Sequence, residues 1–202
     1  MIDALAIALT AVATSLPAPA VPDGSPLYEA PQARQERLAV VAVAVAAVAT
    51  RARCEPPWDG SGCRPLWPGS SVELASVLLA LGHLESGYAW HVHAGRCRTA
   101  IGECDAGRAR SPWQVQRTLH TAWAWDEIEG TGSWSTFAAA WSAARVAAAG
   151  RRYCAWSAPS EPWLEATVSA YATGGRCRYP RAQARARFVV SIEGRIRAAL
   201  SD

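Results

Sequence analysis

Glu85 closes an apolar helical stripe. It follows Leu81 by four residues, Leu78 by seven and Leu74 by eleven, spacings that bring its carboxyl onto the face those leucines share. A carboxyl on that face, just ahead of Gly87, meets two effects that favour its protonated form: partial removal from water and the negative end of the helix dipole. A carboxyl that keeps its proton near neutral pH is what general acid catalysis requires. Standing alone, Glu85 would more readily be a helix-end glutamate turned to solvent, because glutamate is rarely buried.

Other residues offer less. His91 and His93 would share one face of an extended segment, but no His-Glu-x-x-His or other ligand set accompanies them, so no metal site is assigned. An extracytoplasmic metallo-peptidase would rest on that pair alone. Glu103 and Asp105 are the candidates for a second acid that would hold a water for hydrolysis. Arg181, Arg185 and Arg187 read as a solvated helix face, and a formal net charge of +3 made with arginine alone predicts no nucleic-acid partner.

Glu85 does not stand alone. Glu85-Ser86-Gly87 at a helix end is followed by Ala109-Arg110-Ser111-Pro112-Trp113-Gln114-Val115, and later by Ala170-Tyr171-Ala172-Thr173-Gly174. This ordered series resembles the soluble lytic transglycosylase family, whose members show Glu-Ser, an Ala-x-Gly-Leu-Met-Gln-Ile type segment and Ala-Tyr-Asn-Ala-Gly on an α-helical lysozyme-like fold. The order and spacing extend over roughly residues 35 to 200, whereas close similarity is confined to the motifs. Two positions depart from the pattern: Ser111 stands where the family usually has Gly, and Ala172 where it usually has Asn.

The resemblance implies a peptidoglycan substrate. Glu85 would protonate the oxygen between N-acetylmuramic acid and N-acetylglucosamine, then take a proton from the sugar's own hydroxyl to leave an anhydromuramoyl end. Ser86, Gln114 and Tyr171 match family residues beside the catalytic Glu or along the cleft. For Gln114 a capping-box role explains the residue equally well, and for Tyr171 core packing does. Most of the ten tryptophans are expected in the core and about one to three in the cleft; Trp90 and Trp113 lie nearest the motifs, and Trp113, inside the second motif, is the substrate-binding candidate. No cofactor is implied. Two alternatives stay open: a goose-type lysozyme that hydrolyses the same bond, and a non-catalytic wall-binding or phage-particle protein of lysozyme-like fold.

The elements that must position these residues read as mainly α. Residues 1–33 form an apolar segment and a Pro-rich linker, with Ala18-Pro19-Ala20 resembling a signal cleavage site and Asp3 arguing against one. Residues 34–202 form one lysozyme-like catalytic domain, a monomer with disulfide-stapled loops. Leu38 to Ala49 is apolar but too short for a bilayer, which needs roughly 20 residues. Helices are expected over 34–49, from Ser70 to Gly87, from Ser111 onward, and over 134–149, 161–172 and 180–200, the last with Ala184, Phe188, Ile192 and Ile196 on one face. Residues 88–110 read as a loop or small hairpin. The six cysteines suggest Cys54–Cys63, Cys97–Cys104 and Cys154–Cys177 bridges, and with them a location outside the cytoplasm, in the cell envelope or secreted, of phage or host origin.

Overall fold

The computed structural model describes residues 2–21, 25, 27–52, 65–95, 98–99, 102–103, 109–119, 121–128 and 130–201. Cys54, Cys63, Cys97, Cys104 and Asp105 lie outside the described residues, as does the side chain of Glu103. The chain is mainly α: α1 (Ile2–Thr14), α2 (Pro31–Arg51), α3 (Ser71–Ser86), the single turn α4 (Trp90–His93), α5 (Ser133–Ser157), α6 (Trp163–Thr173) and α7 (Ala182–Ala199). Four two-residue strands pair as antiparallel hairpins, β1 (Arg98–Thr99) with β2 (Gly102–Glu103) and β3 (Ala109–Arg110) with β4 (Val115–Gln116).

Pro31 starts α2 where a missing N–H costs nothing, and the alanines that follow carry it for 21 residues. Its Val and Ala side chains at 41, 42, 45, 46, 48 and 49 are buried, so α2 is the central rod on which α1, α3 and α5 pack. The apolar segment at the N-terminus is α1. Leu5, Leu9 and Val12 lie four and three residues apart and are buried in the same hydrophobic cluster as α2, α3, α5 and α7. Beyond it Pro19 packs against Gly87, so this stretch of the linker touches the end of the helix that carries Glu85.

Helix α3 follows its sequence signals closely. The Ser70 hydroxyl accepts from the Glu73 N–H at 3.1 Å, and Gly87, at φ 59°, closes the helix in the left-handed conformation. Ser70 and Glu73 stand at capping-box spacing, but only the serine half forms, because the Glu73 carboxylate accepts instead from Trp67 Nε1 and Arg151 Nη1, each at 2.8 Å. The Arg151 guanidinium lies over the rings of both Trp67 and Trp163, with centroids at 4.6 and 3.9 Å, which occupies two of the tryptophans in a structural cation–π cluster.

Helix α7 buries Ala182, Ala186, Val189, Ile192 and Ile196 and packs Phe188 against the core, so of the expected stripe only Ala184 faces solvent. The expected helix from Ser111 is absent. Ser111 to Gln114 is the turn of the β3–β4 hairpin, in the register Ala109 opposite Gln116 and Arg110 opposite Val115, with the Gln114 N–H donating to the Ser111 carbonyl at 3.0 Å. Ser-Pro suits both readings, since proline is favoured at the first helical position and also at the second position of a turn. Strand pairing on either side decides for the turn.

Among the described residues no helix is long and apolar enough to cross a membrane. Cys154 and Cys177 are bonded, their Cα atoms 5.4 Å apart, which joins the end of α5 to the loop between α6 and α7.

Candidate active site

The three motifs meet. Glu85 near the end of α3, Gln114 and Val115 of the hairpin, and Tyr171, Thr173 and Gly174 at the end of α6 line one cleft of about 440 Å³, with Val146 of α5 at its side. That volume falls in the range of pockets that hold small ligands, roughly 300 to 1,000 Å³. Each wall arrives at the cleft through a specific chain ending. Gly87 stops α3 just after Glu85, and Gly174, left-handed at φ 69°, stops α6 just after Tyr171 to Thr173.

The end of α3 is pinned from α2. Arg34 and Arg37 are both buried, and both donate to the Tyr88 carbonyl, at 3.1 and 2.6 Å. Arg34 also reaches the carbonyls of Gly87 and Pro17. Cations at a helix C-terminus satisfy its last carbonyls and complement its dipole. Arg37 is further held by Glu29, with Nε and Nη2 each 2.7 Å from a carboxylate oxygen. Tyr88 lies across Gly82 and donates to the Leu79 carbonyl at 3.0 Å, and a methyl group at position 82 would sit 2.3 Å from the Tyr88 hydroxyl. Gly82 is therefore the residue that lets Tyr88 fold back on α3.

His93 completes this network. It is fully buried, with Nδ1 3.1 Å from Arg37 Nη1 and Nε2 2.9 Å from Thr136 Oγ1. A guanidinium can only donate, so Nδ1 accepts and the proton sits on Nε2, which donates to the threonine. Burial, reinforced by the Arg37 charge, pushes His93 down to about 3 and keeps it neutral. The expected extended segment is the helical turn α4, on which residues two apart diverge by about 200°. His91 and His93 thus do not form a ligand pair, and no group of three or more potential metal ligands occurs among the described residues.

Glu85 is half-buried, its side chain 19% exposed, and it has a partner the sequence did not reveal: Arg185 of α7 donates to its Oε1. Arg185 is not part of a solvated face, being 17% exposed and packed toward the Tyr179 ring. The sequence signal was masked by Arg181 and Arg187, both exposed on the same helix.

The other expected site residues divide. Gln114 lines the cleft while its amide nitrogen donates to the Ser111 carbonyl at 2.9 Å, so it serves the turn and the cleft together. Tyr171 lines the cleft and donates to the Trp113 carbonyl at 2.8 Å, tying α6 to the hairpin. Burial first, then the neighbouring Glu85 and Tyr88, push the Tyr171 hydroxyl well above its ordinary value, so it stays a neutral donor. Ser86 does not line the cleft; its hydroxyl donates to the Gly82 carbonyl and accepts from the Tyr88 N–H, bracing the turn after Glu85.

Trp113 is a correction. It is fully buried, donates from Nε1 to the Leu78 carbonyl at 2.7 Å and meets Tyr88 edge to face, so its faces are unavailable to a sugar. Its side chain serves the core behind Glu85. Trp90 is tied to the Leu27 carbonyl, and no tryptophan among the described residues lines the cleft.

Ser111 is left-handed at φ 66°, a conformation that favours glycine, and its buried hydroxyl has no hydrogen-bond partner among the described residues. Ser111→Gly is expected to raise stability by about 1 kcal/mol, the relief of backbone strain and of an unsatisfied hydroxyl exceeding the entropy glycine adds to the unfolded chain. The urea midpoint measures it. No protein family, curated protein or solved structure matches this chain.

Proposed function

We propose that this chain cleaves peptidoglycan glycan strands as a lytic transglycosylase, with Glu85 as acid and then base. The observation that carries the reading is the convergence of Glu85, Gln114 and Tyr171, from three distant segments, on one cleft of about 440 Å³. The left-handed Ser111 adds support: the family pattern has glycine at the position where this backbone favours it.

The chemistry follows from one carboxyl group. The Glu85 proton passes to the glycosidic oxygen as the bond from that oxygen to the muramic acid carbon breaks, releasing the N-acetylglucosamine side as an alcohol. The carboxylate left behind takes the proton of a hydroxyl on the muramic sugar, whose oxygen bonds to the same carbon. No water is consumed, so no second acid is needed to hold one. Tyr171, fixed on the Trp113 carbonyl, keeps the opposing wall in place, while Ala172 on that wall presents no amide. A location outside the cytoplasm agrees with the Cys154–Cys177 bond, which oxidising compartments preserve.

One observation favours the binding-only reading: the Glu85 carboxyl is occupied by Arg185, so the resting cleft offers no unpaired acid. Incubation with purified peptidoglycan separates the readings. The expected products are soluble fragments with anhydromuramoyl ends, one water lighter than reducing ends by mass analysis. Predominantly reducing muramic ends would instead support goose-type hydrolysis, and binding without soluble product the non-catalytic protein.

A further inference from the structure

Glu85 lines the cleft, and its ion-pair partner Arg185 stands behind it, outside the lining residues. Glu85 Oε1 accepts from Arg185, so while the pair holds, that oxygen is not available to a glycosidic oxygen and only Oε2 is left to face one. Arg185 itself has capacity to spare. A guanidinium carries five N–H donors, and among the described residues its one hydrogen-bond acceptor is Glu85. Its side chain is partly exposed at 17%, next to the Glu85 carboxyl that lines the cleft, and its face lies 6.0 Å from the Tyr179 ring centroid. The fork can therefore swing toward an anion entering the cleft while its stem stays packed on α7.

We propose that Arg185 is the specificity-determining residue of this cleft: it recognises a carboxylate on the glycan strand, and in moving to that carboxylate it frees Glu85. The inference rests on the peptidoglycan reading and names the strand it selects, one carrying the free carboxylates of its stem peptides rather than a neutral N-acetylglucosamine polymer. In the exchange one carboxylate replaces another on the same guanidinium, and the freed Glu85 carboxylate takes a proton from water before it acts as acid. A neutral strand offers no such replacement, and for it Arg185 stays on Glu85.

Binding measures the exchange separately from cleavage. The probes are one muropeptide, a disaccharide with its stem peptide, and the same muropeptide with its carboxylates amidated, titrated calorimetrically against the full chain. Wild type is expected to bind the free acid about tenfold more tightly than the amide, the order expected of one charge-assisted hydrogen bond. Arg185→Gln should lose that preference while binding the amide unchanged, and Arg185→Lys should keep part of it. Glu85→Gln turns the internal competitor from a charged acceptor into a weaker neutral one and is expected to tighten the free acid severalfold with little effect on the amide, an arm that remains informative if Arg185→Gln does not fold. Equal affinity of wild type for both probes, or a preference that survives Arg185→Gln, overturns the proposal. If the preference is present and lost as expected but wild type releases no soluble product from peptidoglycan, the recognition stands and the lyase reading fails.

Discussion

Glu85→Gln is expected to fold normally and to lose peptidoglycan-cleaving activity by about 100- to 10,000-fold, the range that general acid catalysis typically supplies. The amide preserves the shape of the side chain and its oxygen, so Arg185 keeps an acceptor and α3 keeps its packing. What it removes is the transferable proton and the base that remains after transfer. Release of soluble fragments under saturating substrate is the readout, with thermal unfolding as the control for folding. Wild-type rates from this variant would remove Glu85 from the chemistry and with it the reading built on the cleft.

The second large effect is on stability and comes from His93. Its folded form is neutral down to about pH 3, whereas an unfolded histidine takes a proton near 6.5. As pH falls below about 6.5 the unfolded chain therefore binds a proton the folded chain refuses, and stability drains toward the unfolded state. The contribution is fully present above 6.5 and is lost between 6.5 and about 3, at up to roughly 1.4 kcal/mol per pH unit, or about 5 kcal/mol over the window. Urea unfolding of wild type and His93→Gln at a series of pH values tests this. The variant is less stable at pH 7, yet the decline from pH 6.5 to 4 should be shallower than in wild type. Parallel declines would show that His93 does not control the acid limb.

The parts of this structure governed by local rules were legible in the sequence. The Ser70 cap, the Gly87 stop and the leucine spacing between them fix α3 by interactions within a few residues, and the Glu-Ser-Gly, hairpin and Ala-Tyr segments could be found because each is short and contiguous. Arg185 was not legible because its partner lies 100 residues away, and nothing local distinguishes it from its exposed neighbours. Arg34 and Arg37 were hidden for the same reason, being buried by contacts with Gly87, Tyr88, Glu29 and His93 that only the tertiary fold creates. Trp113 shows a different failure. Its position inside a motif suggested the cleft, but a four-residue turn can point its side chain to either side, and here the Leu78 carbonyl claims the indole. Ser-Pro suits helix and hairpin alike, and what decides is the pairing of Arg110 with Val115, five residues on, which no residue of the turn announces.

The two walls of the cleft differ in how they are held. The Glu85 side depends on packing and on the arginine contacts at the end of α3, all reversible. The Tyr171 side belongs to α6, which lies within the segment clasped by Cys154 and Cys177, 23 residues apart. Such a clasp removes about 3 kcal/mol of conformational freedom from an unfolded loop of this size. Reduction would withdraw that restraint from the Tyr171 wall and lower stability by about the same 3 kcal/mol, while α6 keeps its packing against α5 and α7.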